Sequence, residues 1–194
     1  MLKELEKYAA INDIPIIEQA SRDFIIKYIK DNNVKNILEI GSAIGYSALV
    51  MSLQESVVHI DSVERDGLRY NLALENIVKY QKLDKITLYH HDALLLDMRL
   101  LKRDYDLIFI DAAKAQYQKF FEKYVSLLNS DGAIIIDNIN FHGFVFEKRV
   151  TNNRNTRQLV QKIRKFIEWL EKQTKYEATY YNIGDGIYVV KRKM

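Results

Sequence analysis

A short stretch, residues 36–47, constrains the fold of this chain more than any other part of the sequence. It reads Asn-Ile-Leu-Glu-Ile-Gly-Ser-Ala-Ile-Gly-Tyr-Ser. A largely apolar run ends in two glycines, Gly41 and Gly45, and residues 46–53 are compatible with a helix. This order is typical of a buried strand, a tight turn and a helix start, the first unit of an open α/β nucleotide-binding fold.

The spacing of the two glycines bears on the kind of cofactor. The pattern Gly-x-x-x-Gly lacks the middle glycine with which a dinucleotide site brings its backbone against a pyrophosphate. S-adenosylmethionine (SAM) carries no phosphate, and the acidic Glu39 just before the turn suits its ammonium group. Many strand-to-helix turns contain two glycines, so cofactor binding and a purely structural turn both remain open from this stretch alone.

Length and composition indicate one ordinary domain, residues 1–194, with residues 1–32 as an N-terminal helical segment packed on it. No apolar run approaches the roughly 18 residues that a membrane span needs. The charged N-terminus argues against a signal peptide. The chain has no cysteine, which excludes disulfides and thiolate metal sites and fits a cytoplasmic location.

The net charge of +3 conceals an asymmetry along the chain. Residues 147–194 carry twelve Lys or Arg and five Asp or Glu, whereas residues 1–146 carry a net charge of −4. A basic end on an acidic body indicates an anionic partner such as nucleic acid. A solvated, lysine-rich surface explains the same counts.

Strand and helix patterns alternate through the rest of the chain. After two helical pieces broken near Ile14-Pro15, the sequence predicts strands at residues 37–40, 57–63, 86–90, 107–110, 133–136, 176–181 and 187–191. Helices are predicted at residues 46–53, 68–80, 93–101, 116–128 and 156–172. This alternation predicts an α/β, Rossmann-like fold with helices on both faces of the sheet. The sheet is expected to have seven strands, mostly parallel, with an antiparallel C-terminal strand.

Acidic residues end the first five predicted strands. In such a sheet the ligand lies outside the carboxyl ends of the strands. Glu64 lies 25 residues after Glu39, where a carboxylate can accept both ribose hydroxyls. Any one of these acids could be a helix cap, but five at one edge favour a single shared site. They are Glu39, Glu64, Asp92, Asp111 and Asp137.

Asp111, Asp137 and Asn138 form an all-oxygen group on neighbouring strands. Hard cations such as Mg²⁺ prefer carboxylate, amide and water oxygens, so these residues are candidate metal ligands. Lys114, three residues after Asp111, is a candidate general base beside that metal. Taken by itself, Lys114 is equally compatible with a surface lysine.

With these residues assembled, the chain resembles the metal-dependent O-methyltransferases of the catechol and caffeoyl-CoA type. Within that family it is most similar to the bacterial tRNA methyltransferases that convert 5-hydroxyuridine at the wobble position to 5-methoxyuridine. The matching segments are residues 38–47, 63–65, 92–93, 109–114, 136–138 and 184–186, with residues 117–121 and 137–143 closest to the tRNA enzymes. Three departures are a short N-terminus, His91 in place of a common glycine, and Ala115 in place of the glycine after the lysine.

The resemblance implies roles for individual residues. Lys114 and Asp111 are implied as catalytic, and Asp111, Asp137 and Asn138 as ligands of Mg²⁺ or another divalent cation. The implied SAM-binding residues are Ile14, Glu39, Gly41, Ser42, Gly45, Tyr46, Ser47, Glu64, Asp92, Ala93 and Asp111. A homodimer is also implied.

If the substrate is tRNA, basic residues near the proposed metal should bind the anticodon loop. Arg149, Arg154 and Arg157 are the candidates for phosphate contacts. Tyr117, Phe141 and Phe144 are candidates for stacking on a splayed base. Two alternatives remain: a small-molecule catechol-type methyltransferase, and a SAM-dependent RNA-binding protein without turnover. Intact Asp111, Lys114, Asp137 and Asn138 argue against the second alternative.

Overall fold

The structure, a computed structural model, describes residues 2–146 and 151–193. These residues form one seven-stranded sheet flanked by helices. The strands are β1 (Asn36–Ile40), β2 (His59–Glu64), β3 (Ile86–His90), β4 (Tyr105–Ile110), β5 (Leu128–Ile136), β6 (Tyr176–Tyr181) and β7 (Ile187–Arg192). The α-helices are α1 (Lys3–Ile11), α2 (Gln19–Asp31), α3 (Tyr46–Ser52), α4 (Gly67–Lys79), α5 (Tyr117–Tyr124) and α6 (Arg154–Glu171).

The order of the strands confirms the predicted fold. The sheet runs β3-β2-β1-β4-β5-β7-β6, and β1 to β5 are mutually parallel. Strand β7 is antiparallel to both of its neighbours, β5 and β6. Because the winding direction reverses between β1 and β4, a crevice opens there at the carboxyl ends of the strands.

Two apolar cores cover the two faces of the sheet. One contains α5, α6 and side chains such as Phe121 and Phe166, and the other contains α2, α3 and α4, with Ile25 and Leu49. The central strands are near-continuous apolar runs because both of their faces are buried. One face of α6 is apolar: Ile163, Phe166, Ile167 and Leu170 are buried, and Leu159 is half-buried.

Two helix predictions need correction. The helix predicted at residues 93–101 is wrong, since only a single 3₁₀ turn forms there, Met98–Leu100. The side chains of Asp92 and Asp97 accept hydrogen bonds from the backbone amides of Leu94 and Arg99, at 2.8 and 3.0 Å. Such local bonds compete with helix formation.

The helix predicted at residues 116–128 is shorter than expected. It is α-helical only over α5, with 3₁₀ turns before it (Lys114–Gln116) and after it (Val125–Leu127). Lys114 therefore lies in a tight turn that leads into a helix. Within the described ranges, no helix is both long and apolar enough to cross a membrane.

Candidate functional site

A cavity of about 490 Å³ lies in the crevice at the carboxyl ends of β1, β2, β3 and β4. The structure brings most of the predicted cofactor residues to its wall: Gly41, Ser42, Tyr46, Ser47, Glu64, Asp92, Ala93 and Asp111. Ile14, Glu39 and Gly45 do not line it. The segment between α1 and α2, Pro15 to Glu18, forms part of the wall, and no sequence feature other than Ile14 indicated this.

The two glycines of the first turn are required for different reasons. Gly41 has a φ of +96°, and a Cβ there would lie 2.2 Å from the backbone oxygen of Asp111. Gly45 has a φ of +79°, and a Cβ there would lie 3.3 Å from Ala73 of α4. The first glycine therefore lets two strand ends approach each other beneath the cavity. The second lets α4 pack against the turn.

Glu64 is held rigidly in the cavity wall. Its Oε2 accepts a hydrogen bond from the amide of Ala43, and its Oε1 accepts one from the amide of Asp66, both at 2.9 Å. Each carboxylate oxygen has a second lone pair, so the group can still accept hydrogen bonds from two hydroxyls.

Two buried polar atoms near the turn lack a partner among the described residues, Glu39 Oε1 and Ser42 Oγ. Glu39 is fully buried, and burial raises its pKa to about 7, while the hydroxyl of Ser62 donates a hydrogen bond to its other oxygen. Unsatisfied buried polar atoms are rare in proteins. Ser42 lines the cavity, so its hydroxyl fits a cofactor with polar groups, such as the amino acid part of SAM, whereas Glu39 lies outside the lining.

Two of the three predicted metal ligands, Asp111 and Asn138, line the cavity, whereas Asp137 is buried and does not line it. The side-chain Nδ2 of Asn138 donates to Asp111 Oδ1 at 2.9 Å, and the backbone N–H of Asn138 donates to Asp137 Oδ1 at 2.8 Å. Burial raises the pKa of Asp137 to about 7, and the negative charge of Asp111 adds to that rise. Two buried carboxyl groups that oppose each other's ionisation favour a bound cation.

The chemistry of this donor set fits a hard divalent cation. No group of three or more His, Cys, Asp or Glu side chains placed to hold a metal occurs within residues 2–146 and 151–193. The predicted set contains only two carboxyl groups, and its third member is an amide. Residues of this kind are the ligands Mg²⁺ takes when it keeps several waters.

Lys114 is half-buried and lines the cavity together with Asn138 and His142. Its positive charge lowers the pKa of Asp111, against the larger effect of burial, which raises it. Lys114 is therefore within electrostatic reach of both Asp111 and Asp137.

Two residues support Asp137 through hydrogen bonds that the sequence did not indicate. The hydroxyl of Ser21, on α2, donates to Asp137 Oδ1 at 3.0 Å, and the hydroxyl of Tyr117 donates to the backbone oxygen of Asp137 at 2.8 Å. Tyr117 is only 1% exposed, so its prediction as a stacking residue is wrong. Phe141 and Phe144 are half-buried and remain candidates.

Two of the predicted RNA-binding arginines lie in the first turns of α6, and both are exposed. Arg157 donates to the backbone oxygen of Thr151 at 3.2 Å. Neither Arg154 nor Arg157 forms an ion pair with a carboxylate in the part of the chain that is described. Helix α6 packs against the Lys114–Gln116 turn, which places it beside the cavity. Arg149 lies outside the described residues.

The fold and the cavity together define a Rossmann-like methyltransferase architecture. The sequence profile of a family described as O-methyltransferase matches residues 1–193, and the chain belongs to that family. Tapetum-specific methyltransferase 1 of Arabidopsis thaliana is 30% identical, with 99% of this chain and 86% of the relative covered. A caffeoyl-CoA O-methyltransferase of Populus kitakamiensis is 27% identical, with 98% of this chain and 86% of the relative covered.

Solved structures agree with this assignment. A Staphylococcus aureus protein provisionally named caffeoyl-CoA O-methyltransferase superposes with a TM-score of 0.93 and is 38% identical, with 99% of this chain and 92% of that chain covered. An O-methyltransferase from Bacillus cereus, solved in complex with SAH, gives a TM-score of 0.84 at 25% identity, with 99% and 90% covered.

Proposed function

We propose that this protein transfers a methyl group from SAM to a hydroxyl oxygen of an acceptor that carries a second oxygen beside the hydroxyl. One observation carries this proposal: a single cavity joins a hydroxyl-accepting end, at Glu64, to an acid-lined end, at Asp111 and Lys114. The SAH-bound relative from Bacillus cereus supports the choice of cofactor.

The residues at one end of the cavity bind the cofactor, and those at the other end act on the acceptor. Glu64 accepts the ribose hydroxyls and Asp92 the adenine amino group, while the backbone at Gly41 and the hydroxyl of Ser42 bind the amino acid part. The cofactor supplies an electrophilic methyl group on a sulfonium. Lys114 Nζ, in its neutral form, takes the proton of the acceptor hydroxyl. Enclosing both reactants in one cavity supplies proximity and orientation.

Asp111, Asp137 and Asn138 would hold a divalent cation at the acceptor end. Bound there, the cation supplies a charge that acidifies the acceptor hydroxyl and fixes its direction. Ser21 and Tyr117 keep Asp137 in place from behind, because both of their hydrogen bonds end on that residue.

For the acceptor, we propose 5-hydroxyuridine at the wobble position of tRNA, whose 5-hydroxyl and 4-carbonyl form the required oxygen pair. The exposed arginines of α6 beside the cavity support it, because neither is paired with a carboxylate among the described residues. A base in a single-stranded loop can be splayed into a pocket and stacked on an aromatic ring. Phe141 and Phe144 are available for this. The proposal includes the predicted homodimer, which light scattering would measure.

A small catechol-type acceptor is the second candidate. It is favoured by the printed names of relatives, such as the caffeoyl-CoA O-methyltransferase of Populus kitakamiensis. A cavity of about 490 Å³ also lies within the usual size of small-molecule sites.

Methyl transfer from labelled SAM to two acceptors separates the candidates. One acceptor is tRNA carrying 5-hydroxyuridine, with tRNA lacking that hydroxyl as the matched control, and the other is catechol. We expect efficient transfer to the hydroxylated tRNA alone, abolished by a chelator and restored by Mg²⁺. Efficient transfer to catechol without transfer to tRNA would favour the small-molecule candidate, and full activity in chelator would exclude the metal.

A further inference from the structure

The loop after β5 has an unusual backbone. Phe141 and His142 have φ values of +47° and +56°, and Gly143 follows at +83°. Left-handed backbone is unfavourable for residues other than glycine, and two such residues in succession persist only where their surroundings hold them. This turn therefore needs an anchor.

The anchor comes from the turn between β6 and β7. Asp185 Oδ1 accepts a hydrogen bond from the backbone amide of His142 at 2.6 Å. The backbone oxygen of Asp185 accepts one from the amide of Asn140 at 2.7 Å, and the oxygen of Gly186 accepts one from the amide of Ile139 at 3.0 Å. Asp185 is 7% exposed, so little water competes for these bonds.

The anchored turn forms a wall of the cavity. His142 is one of its lining residues, together with Asn138 and Lys114. On its other side, the loop is held by Arg164 of α6, which donates to the backbone oxygens of Phe144 and Val145 at 2.9 and 3.0 Å. Asp185 is thus the side chain that fixes the backbone of a residue in the cavity wall.

We propose that Asp185 is a positioning residue for the acceptor, and that it acts by fixing His142 as a residue that contacts the acceptor. This inference rests on the proposed function, because it assigns the acceptor to the Lys114 end of the cavity. An imidazole there can hydrogen-bond an oxygen of the acceptor or stack on its ring. The acceptor class is therefore a planar ring with adjacent oxygens, presented by tRNA or by a small molecule.

The test uses three variants and a matched control. Asp185→Ala removes the acceptor atom for the His142 amide, whereas Asp185→Asn keeps a side-chain oxygen at the same position. His142→Ala removes the contact residue without touching the anchor. The control is Asp106→Ala, since Asp106 Oδ2 likewise accepts from two backbone amides, Lys35 and Asn36, but at the opposite edge of the sheet.

We expect Asp185→Ala to raise the KM for the acceptor about tenfold or more, with the SAM affinity unchanged and a smaller effect on kcat. Asp185→Asn should restore most of the KM. Adding His142→Ala to Asp185→Ala should raise the KM less than the two separate effects combined, because both act through one contact. Asp106→Ala should change neither KM nor SAM affinity.

Hydrogen exchange provides a readout that needs no activity. In Asp185→Ala the amides of residues 140–144 should exchange faster, while those of β1 and β4 stay protected; Asp185→Asn should resemble the wild type. Unchanged exchange at the His142 amide would overturn the anchoring role, and faster exchange with an unchanged KM would overturn the acceptor role. Wild-type protein that methylates neither acceptor would overturn the proposed function and the acceptor role together, while the exchange result would still decide the anchoring role.

Discussion

Two buried carboxyl groups, those of Glu39 and Asp137, have pKa values raised to about 7, with burial as the largest cause in each. In the unfolded chain such groups titrate near pH 4, so between about pH 4 and 7 the folded protein holds protons that the unfolded chain has lost. Their contribution to stability is therefore fully present below about pH 4. It is lost progressively as the pH rises through 7.

The metal-free protein should accordingly unfold at a lower temperature at pH 8 than at pH 5. Each 1 kcal/mol lost lowers the melting temperature of a domain of this size by about 2–4 °C. Asp137→Asn should make this dependence shallower. Added Mg²⁺ should raise the melting temperature more at pH 8, because it binds the ionised form of Asp137.

Glu39→Gln is the control for that measurement. It should also flatten the pH dependence, but it should leave the response to Mg²⁺ intact, because Glu39 lies at the cofactor end. A stabilisation by Mg²⁺ that is equal at pH 5 and pH 8, or that survives in Asp137→Asn, would contradict the assignment of the metal site.

At the cofactor end, Glu64→Ala should weaken SAM binding about 10- to 100-fold, since a hydrogen bond to a charged group contributes ~1.5–3 kcal/mol. Calorimetry measures the affinity, and circular dichroism checks the fold. Glu75→Ala is the matched control, because Glu75 is an exposed carboxylate of α4 outside the cavity. Equal SAM affinity in folded Glu64→Ala and in Glu75→Ala would remove Glu64 from the site.

At the scale of elements, prediction succeeded where one local pattern decides the structure. Strand β3 was predicted to the residue because its apolar run is bounded by polar segments. The helix prediction for residues 93–101 failed because apolar positions at helical spacing are also compatible with turns that Asp92 and Asp97 close by side-chain hydrogen bonds. Three of the five acids at the strand ends, Glu64, Asp92 and Asp111, line the cavity because parallel strands share one edge, whereas Glu39 and Asp137 are buried and do not line it. The hydrogen bonds of Ser21 and Asp185 join residues far apart in sequence, so no local sequence pattern predicts them.

Helix α6 carries the prediction that concerns RNA. Arg154→Ala and Arg157→Ala should each weaken tRNA binding and reduce the slope of log affinity against log salt by about 0.7, because each removes one phosphate contact. The affinity for SAM should not change. Affinity measured at several salt concentrations tests this, and the same expectation applies to Arg149.

Arg103→Ala is the control for the arginine series. Arg103 is exposed and precedes β4, at the sheet edge opposite the cavity. If Arg103→Ala reduces the salt slope as much as the α6 variants do, the basic surface is nonspecific and α6 has no special role.

At the scale of the whole molecule, the cavity draws on distant parts of the chain. Its wall includes the α1–α2 segment, the first turn and the ends of β2, β3 and β4. Arg22 of α2 donates to Glu6 of α1 at 3.0 Å and to Tyr46 of α3 at 2.9 Å, which ties the N-terminal helices to the cavity wall. Occupation of the cavity should therefore stabilise the N-terminal segment together with the sheet.

We expect SAM at about one hundred times its Kd to add ~2.7 kcal/mol to the free energy of unfolding, or roughly 5–10 °C in melting temperature. Hydrogen exchange in residues 16–18 should slow along with that in residues 41–47. Arg22→Ala should weaken the coupling, so that SAM protects residues 41–47 more than residues 16–18. Protection confined to residues 41–47 in the wild type would show that the N-terminal segment is not part of the site.

The support of Asp137 also has a consequence for biosynthesis. Ser21, which binds Asp137, comes from α2, and it packs so closely on the β6–β7 turn that a Cβ on Gly184 would lie 2.5 Å from its hydroxyl. Domains emerge from the ribosome N-terminal end first, so α2 is made long before the turn it must contact. Until β6 and β7 have been synthesised, the Ser21 hydroxyl lacks the turn against which it packs, and the support of Asp137 is incomplete. Under the proposed function, we therefore expect methyl transfer to begin only after the last two strands have joined the sheet.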